Sequence, residues 1–243
     1  VGADIFIGGD GVDTADFTYS TAAFTADLTL GTVDWGTSTE TLSSIENLIG
    51  SKGDNTLIGD VGNNRLDGHD GDDNLQGGAG DDTLSGGIGT DTLDGGDGID
   101  TLSVAYSSAN WAIDLSANNA GGETALNFEN VEGSQGDDTI TGDDGANRLD
   151  GRQGIDILNG GLGDDTLIGG SGSDTFAFGS NWGNDIITDF DPTNEKIDIA
   201  AAGLTYADLA ISQAGSDVLV SDGSGNTITL LNTDAASLSE DNF

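Results

Sequence analysis

Residues 50–103 read GSKGDNTLI, GDVGNNRLD, GHDGDDNLQ, GGAGDDTLS, GGIGTDTLD, GGDGIDTLS, six copies of a nine-residue unit in one unbroken register. Five more copies fill residues 133–177: GSQGDDTIT, GDDGANRLD, GRQGIDILN, GGLGDDTLI, GGSGSDTFA. A shortened run opens the chain, where Gly2-Ala3-Asp4-Ile5-Phe6-Ile7 precedes GGDGVDTAD. Glycine holds places one and four throughout both blocks. Place six is always Asp or Asn, and place eight is always apolar. Nine residues is too short for a helical repeat and gives no 3.6-residue period. A glycine-rich turn followed by a three-residue strand fits it. Glycine supplies the positive φ angles of a tight turn. In the strand, places seven and nine point outward and place eight points inward. Two units would make one 18-residue coil, and stacked coils would line up Leu57, Leu66, Leu75, Leu84, Leu93 and Leu102, then Ile140, Leu149, Leu158, Leu167 and Phe176.

The composition agrees with turns and excludes several functions. The 243 residues contain 44 Asp and Glu against 5 Lys and Arg, a formal net charge of −39. Nucleic-acid binding needs a basic face that displaces counterions from phosphate, and none is available. Of the acids, 37 are Asp and 7 are Glu; the shorter acid belongs in turns, where it reaches the backbone or an ion. There is no Cys, hence no disulfide framework or thiolate metal site. No apolar run approaches the ~18 residues of a membrane span. One aliphatic side chain per nine residues is a thin core against the entropy of ordering those nine, many of them glycine. Stacked turns also bring carboxylates together. The turns therefore call for a positively charged stabiliser.

These residues resemble the GGxGxDxUx nonapeptide of the repeats-in-toxin (RTX) family, and eleven in-register copies carry the resemblance. It implies an all-β fold, a right-handed parallel β-roll stabilised by calcium, closed by a small β-rich C-terminal cap. It also implies that each ion sits between turns two repeats apart, held by carbonyls of the glycine-rich segment and by the sixth-place side chains. Calcium suits such a cage because it takes six to eight hard oxygens in flexible geometry. The implied pairs are Asn55 with Asp73, Asn64 with Asp82, Asp73 with Asp91, and Asp82 with Asp100. In the second block they are Asp138 with Asp156, Asn147 with Asp165, and Asp156 with Asp174. Asp185 with Asp165 would add an eighth site to these seven. The accompanying glycines are Gly71, Gly78, Gly80, Gly87, Gly89, Gly96 and Gly98, then Gly154, Gly161, Gly163, Gly170 and Gly172. Asn55, Asn64 and Asn147 bring no charge, so their sites are expected to be weaker or empty.

The segments between blocks are also repeated. GVDTADFTYSTAAFTADLTLG (11–31) parallels GIDTLSVAYSSANWAIDLSAN (98–118), and IENLIGSKGDNTLIGDVGNNRLDG (45–68) parallels FENVEGSQGDDTITGDDGANRLDG (128–151). They predict strands near 15–19, 24–29, 44–49, 102–106, 111–115 and 128–132. The expected organisation is therefore 1–16 as the end of a preceding roll segment, 17–49 irregular rungs, 50–103 six nonapeptides, 104–132 irregular rungs, 133–177 five nonapeptides, and 178–243 a cap with a secretion-signal region. That last segment resembles the cap of serralysin-type RTX proteins. Asp217-Val218-Leu219-Val220 and Thr227-Ile228-Thr229-Leu230 flank Asp222-Gly223-Ser224-Gly225, a hairpin signal. Trp182, Phe190, Ile197, Ile199 and Leu204 are the expected cap core.

Nothing in the sequence specifies catalysis. His69 is the only histidine and falls in a turn beside Asp70 and Asp72. No serine lies in a nucleophile-elbow motif. Trp35, Trp111 and Trp182 could stack on sugars, although each position also suits a rung or core. Three repeat arginines, Arg65, Arg148 and Arg152, cannot make a strong polyanion track in so negative a field. The expectation is a non-enzymatic calcium-binding module of a secreted bacterial protein, exported by type I secretion machinery and attached to a catalytic region upstream. Two rivals are a surface-layer, adhesin or filament component that self-assembles, and an accessory module that binds polysaccharide.

Overall fold

The computed structural model describes residues 3–243; Val1 and Gly2, the second of which begins the shortened run, lie outside the described residues. The nine-residue period becomes parallel ladders of very short strands. The chain groups into two compact units, Val1–Val104 with Asn118–Phe128, and Ala105–Ala117 with Glu129–Phe243. The helical segments are three-residue turns, and no helix among the described residues is long and apolar enough to cross a membrane.

In the first unit, one ladder stacks Thr25–Asp27, Thr56–Ile58, Asn74–Ala79, Thr92–Asp97 and Glu123–Leu126. The other stacks Thr14–Asp16, Asn47–Ile49, Arg65–Asp67, Thr83–Ser85 and Thr101–Ser103. Alternate nonapeptides feed alternate ladders, so partners stand two repeats apart. Leu57 pairs with Leu75 and Leu75 with Leu93, while Leu48, Leu66, Leu84 and Leu102 form the second row. All of these leucines are fully buried. Each contributes ~1.5–3 kcal/mol by leaving water. Places seven and nine are mostly half-exposed, as the pleat requires.

The irregular segment of this unit is richer in strands than expected. Thr25–Asp27 turns back through Gly31 into the antiparallel Thr32–Asp34, which pairs with Thr39–Ser43, which in turn carries Ile5–Ile7 in parallel. Phe17, Phe24 and Trp35 fill the wider rung with ring centroids 4.7–5.8 Å apart. Asn119–Ala120 adds one short antiparallel pairing to Glu123–Leu126.

In the second unit the first ladder stacks Ala112–Asp114, Thr139–Thr141, Ile157–Asn159, Thr175–Ala177 and Lys196–Asp198. The second stacks Asn130–Glu132, Arg148–Asp150, Thr166–Ile168, Asn184–Ile187 and Thr227–Leu230. Parallel pairing thus continues beyond Ala177, where the glycine period has already ended. Thr227–Leu230 then pairs antiparallel with Asp217–Ser221, and that strand with Ala210–Ala214. The expected hairpin is present, with Ala210–Ala214 as an additional outer strand. Trp182, Phe190, Ile197 and Ile199 are buried, while Leu204 is half-buried.

Candidate metal centre

Two kinds of turn carry the sixth-place residues. The first two repeats of each block have Ser or Asp at place two, and their turns close on themselves. Ser51 N–H donates to Asn55 Oδ1 at 2.6 Å, Asp60 N–H to Asn64 Oδ1 at 2.7 Å, Ser134 N–H to Asp138 Oδ2 at 2.6 Å, and Asp143 N–H to Asn147 Oδ1 at 2.8 Å. The later repeats open. Their glycines at places two and four, from Gly71 to Gly98 and from Gly154 to Gly172, have φ between 90° and 159°. His69 and Arg152 hold place two in the same left-handed region, at φ 78° and 70°. The open turn rotates the place-two N–H away from the carboxylate. Among the described residues, Asp73, Asp82, Asp91, Asp156, Asp165, Asp174 and Asp185 each bury an Oδ2 that has no hydrogen-bond partner.

The other carboxylate oxygen defines the stacking. Asn55 N–H donates to Asp73 Oδ1 at 2.6 Å, Asn64 N–H to Asp82 at 2.7 Å, Asp73 N–H to Asp91 at 2.8 Å, and Asp82 N–H to Asp100 at 2.8 Å. In the second block, Asp138, Asn147 and Asp156 donate in the same way to Asp156, Asp165 and Asp174 at 2.7–2.8 Å. Asp165 N–H reaches Asp185 Oδ1 at 2.8 Å despite the 20-residue spacing. Every residue pair that the resemblance implies is therefore joined by one hydrogen bond.

Place-five side chains form a second column that the period alone does not reveal. Asp72 N–H donates to Asp54 Oδ1, Thr90 N–H to Asp72, Ile99 N–H to Asp81, and Ile155 N–H to Asp137, at 2.8–3.1 Å. These bonds run opposite to the place-six bonds, and these carboxylates sit at the exposed edge. They staple rungs together.

Burial makes the inner column costly without a cation. Loss of hydration pushes the carboxyls of Asp73, Asp156 and Asp185 up to about 7, and those of Asp82 and Asp165 up to about 6, with neighbouring carboxylates adding to the shift. Asp91 and Asp174 move in the same direction for the same reason. Two glutamates in related positions shift too: Glu195 to about 7 and Glu123 to about 8, again first by burial. Glu195 Oε2 accepts Asp191 N–H at 2.8 Å, and Glu46 Oε2 accepts Asp13 N–H at 2.8 Å. Neither lies in a nonapeptide, so the repeat gives no signal for them.

The residues fit a hard dication. Buried, unpartnered carboxylate oxygens, backbone carbonyls of glycine-rich turns and clustered negative charge form an all-oxygen donor set. The first-place glycine leaves the space open: a Cβ at Gly77 would overlap both Asp82 Oδ2 and the Gly95 carbonyl oxygen. No group of three or more Asp, Glu or His side chains among the described residues converges on one point that could hold a metal ion, so carboxylates would enter singly or in pairs and carbonyls would supply the remainder. The carboxylates of this inner column that could hold calcium are those of Asp73, Asp82, Asp91, Asp100, Asp156, Asp165, Asp174 and Asp185, all of them buried. The amide oxygens of Asn55, Asn64 and Asn147 are already engaged within their own turns. Asp138 is engaged in the same way, although it carries a charge.

Other residues singled out by sequence lie apart from this column. His69 is half-buried in its turn, with Nδ1 3.1 Å from Asp70 Oδ1. Trp182 is buried against Phe178 and unavailable for stacking on a sugar, while Trp35 packs on Phe17 and Phe24. Arg148 lies 3.3 Å from Asp150, and Arg152 3.8 Å from Glu132.

Comparisons with known proteins followed the same pattern. The family model for the RTX calcium-binding nonapeptide repeat matches four times, over residues 42–75, 67–102, 128–158 and 150–187. No curated protein sequence matches the chain. Among solved structures, the AlgE6R3 subunit of the Azotobacter vinelandii mannuronan C5-epimerase is 29% identical, covering 58% of this chain and 81% of that one, with a TM-score of 0.39. The AlgE6R2 subunit of that epimerase is 31% identical over 58% of this chain and 89% of its own, with a TM-score of 0.34. The extracellular lipase LipA from Serratia marcescens is 20% identical; 81% of this chain covers 39% of the lipase, with a TM-score of 0.32. The repeat match, the parallel ladders and the column of buried aspartates place this chain in the RTX calcium-binding nonapeptide-repeat family.

Proposed function

We propose that this chain is a calcium-folded β-roll of a secreted bacterial protein, which supports the export and stability of a larger polypeptide. Residues 50–103 and 133–177 carry most of the seven or eight ions. Residues 1–16 close a preceding roll segment, 17–49 and 104–132 form its irregular rungs, and 178–243 cap it and present a signal to type I secretion machinery. The observation that carries this reading is the column of buried Oδ2 atoms without partners. Binding energy at sites absent from the unfolded chain is folding energy. Extracellular calcium modules bind at ~10⁻⁴–10⁻³ M, far above cytosolic calcium. The chain then stays unfolded and exportable inside the cell and folds outside. The test is far-UV circular dichroism in chelator, in millimolar calcium and in millimolar magnesium at matched ionic strength. Calcium alone should induce the β spectrum, because magnesium demands tighter octahedral geometry and retains its waters. A β spectrum that persists in chelator, or that magnesium induces equally, overturns the reading.

A polysaccharide-binding accessory role is favoured by one feature. Tyr19 and Tyr106 occupy equivalent positions of the two irregular segments and are 99% and 77% exposed. Retention of the calcium-loaded chain on an immobilised glycan, lost in Tyr19→Ala with Tyr106→Ala, would establish it; passage through the column unretained excludes that glycan.

A further inference from the structure

The nonapeptide rule makes Asp91 an end residue of its ladder, because the nine-residue unit is absent above it. The structure puts another carboxylate there. Thr92 pairs with Thr124, so Glu123 stands over Asp91 where the next sixth-place side chain would be. Thr124 N–H donates to Asp91 O at 3.0 Å, the same bond that Thr92 N–H makes to Asp73 O at 2.9 Å. Gly121 and Gly122 precede Glu123 with φ of 63° and 107°, restoring a left-handed turn without the GGxGxD sequence. Glu123 is 7% exposed and faces Asp91, which is 1% exposed. Asp91 Oδ1 is engaged by Asp73 N–H, while its Oδ2 has no partner.

Two buried carboxylates facing each other repel unless something positive lies between them. We propose that Asp91 and Glu123 hold a further hard divalent cation, a site whose upper half comes from an irregular rung rather than a nonapeptide. Glutamate suits that place because the extra methylene extends its carboxylate past a backbone that does not follow the repeat. A glutamate stands over an aspartate elsewhere as well: Glu195 over Asp174, both buried, with Lys196 N–H donating to Asp174 O at 3.0 Å. Glu40 stands over Asp4 in the same register, with Thr41 N–H donating to Asp4 O at 3.0 Å and Glu40 Oε2 buried without a partner, although Asp4 itself is exposed. Glu40 and Glu123 are equivalent positions of the internal duplication, and each irregular segment delivers its glutamate above an aspartate.

This inference rests on the calcium reading of the open turns, and the experiment separates the two. Crystals of the full chain grown in calcium are measured for anomalous difference density. A peak between Asp91 and Glu123, beside one between Asp73 and Asp91, is expected. In parallel, calorimetry of Glu123→Gln in the full chain should count one calcium fewer than the unsubstituted chain, whereas the exposed Glu240→Gln should count the same number. Peaks in the nonapeptide turns with none at Glu123, or an unchanged count in Glu123→Gln, overturn this site and leave the calcium reading intact. Absence of peaks at every aspartate overturns both. The density comes from the unsubstituted chain, so a variant that misfolds leaves the crystallographic result standing.

Discussion

Replacing Asp82 by Asn separates the two roles of the inner column. The substitution keeps Oδ1, and with it the 2.7 Å bond from Asn64 N–H, but removes the charge and the free Oδ2. Asp82 lies between Asn64 and Asp100, so two proposed sites lose a ligand. Without calcium the change should help: burial raises the Asp82 carboxyl from 3.8 to about 6, and two units correspond to roughly 3 kcal/mol of cost at pH 7. With calcium the sign reverses. A site filled at 100 times its dissociation constant contributes about 2.7 kcal/mol, and two contribute roughly 5 kcal/mol. The net expectation is a loss of roughly 2 kcal/mol in calcium. The assay is far-UV circular dichroism against free calcium at pH 7, with calorimetry for the count. Asp82→Asn should shift the folding midpoint to higher calcium and lower its cooperativity, while its residual β signal in chelator equals or exceeds that of the unsubstituted chain. Asn55→Ala, at an end site, should shift the midpoint less. An unchanged or lower calcium midpoint for Asp82→Asn would refute the two-repeat pairing.

Gly77→Ala should prevent the open turn from forming, because its Cβ would overlap Asp82 Oδ2 and the Gly95 carbonyl; the calcium-induced β signal of block one should fall, and an unaltered titration would contradict the crowding. Acidity should act oppositely with and without the ion. The inner carboxyls have folded values near 6–7 against 3.8 unfolded, so the stability linked to their protonation is complete below about pH 4 and is lost as pH rises through 6–7. In chelator, β structure should therefore increase as pH falls from 8 toward 5, whereas the calcium midpoint should rise over that interval because protons compete for the ligands. Removing residues 205–243 takes away the three outer strands and exposes the Asn184–Ile187 edge with Ile187. That truncation should need more calcium to fold and should associate in analytical ultracentrifugation; a monomer with an unchanged midpoint would speak against a capping role.

The nine-residue period by itself determined the strand length, the coil of two repeats, the buried leucine rows and the constant Asx at place six; the pairing of those Asx residues as ligands came from the RTX resemblance. The period could do so because glycine, Asx and an aliphatic residue each have one suitable place in so short a unit, and eleven copies leave a single register. The hairpin of 217–230 was equally legible, since alternation and a Gly-rich turn are local signals. Tertiary structure decided what the period does not encode. Ser or Asp at place two closes the turns of Asn55, Asn64, Asp138 and Asn147, while glycine, His69 or Arg152 in the left-handed region opens the others. That distinction depends on backbone direction rather than on the sixth residue, so Asp138 groups with the three asparagines despite its charge. The strands after Ala177 join the ladders without any glycine signature because parallel pairing needs only backbone and an inward apolar residue, supplied by Ile187 and Ile197. Glu123 lies 32 residues from Asp91 in sequence, and only the register of Thr92 with Thr124 brings the two carboxylates to one place.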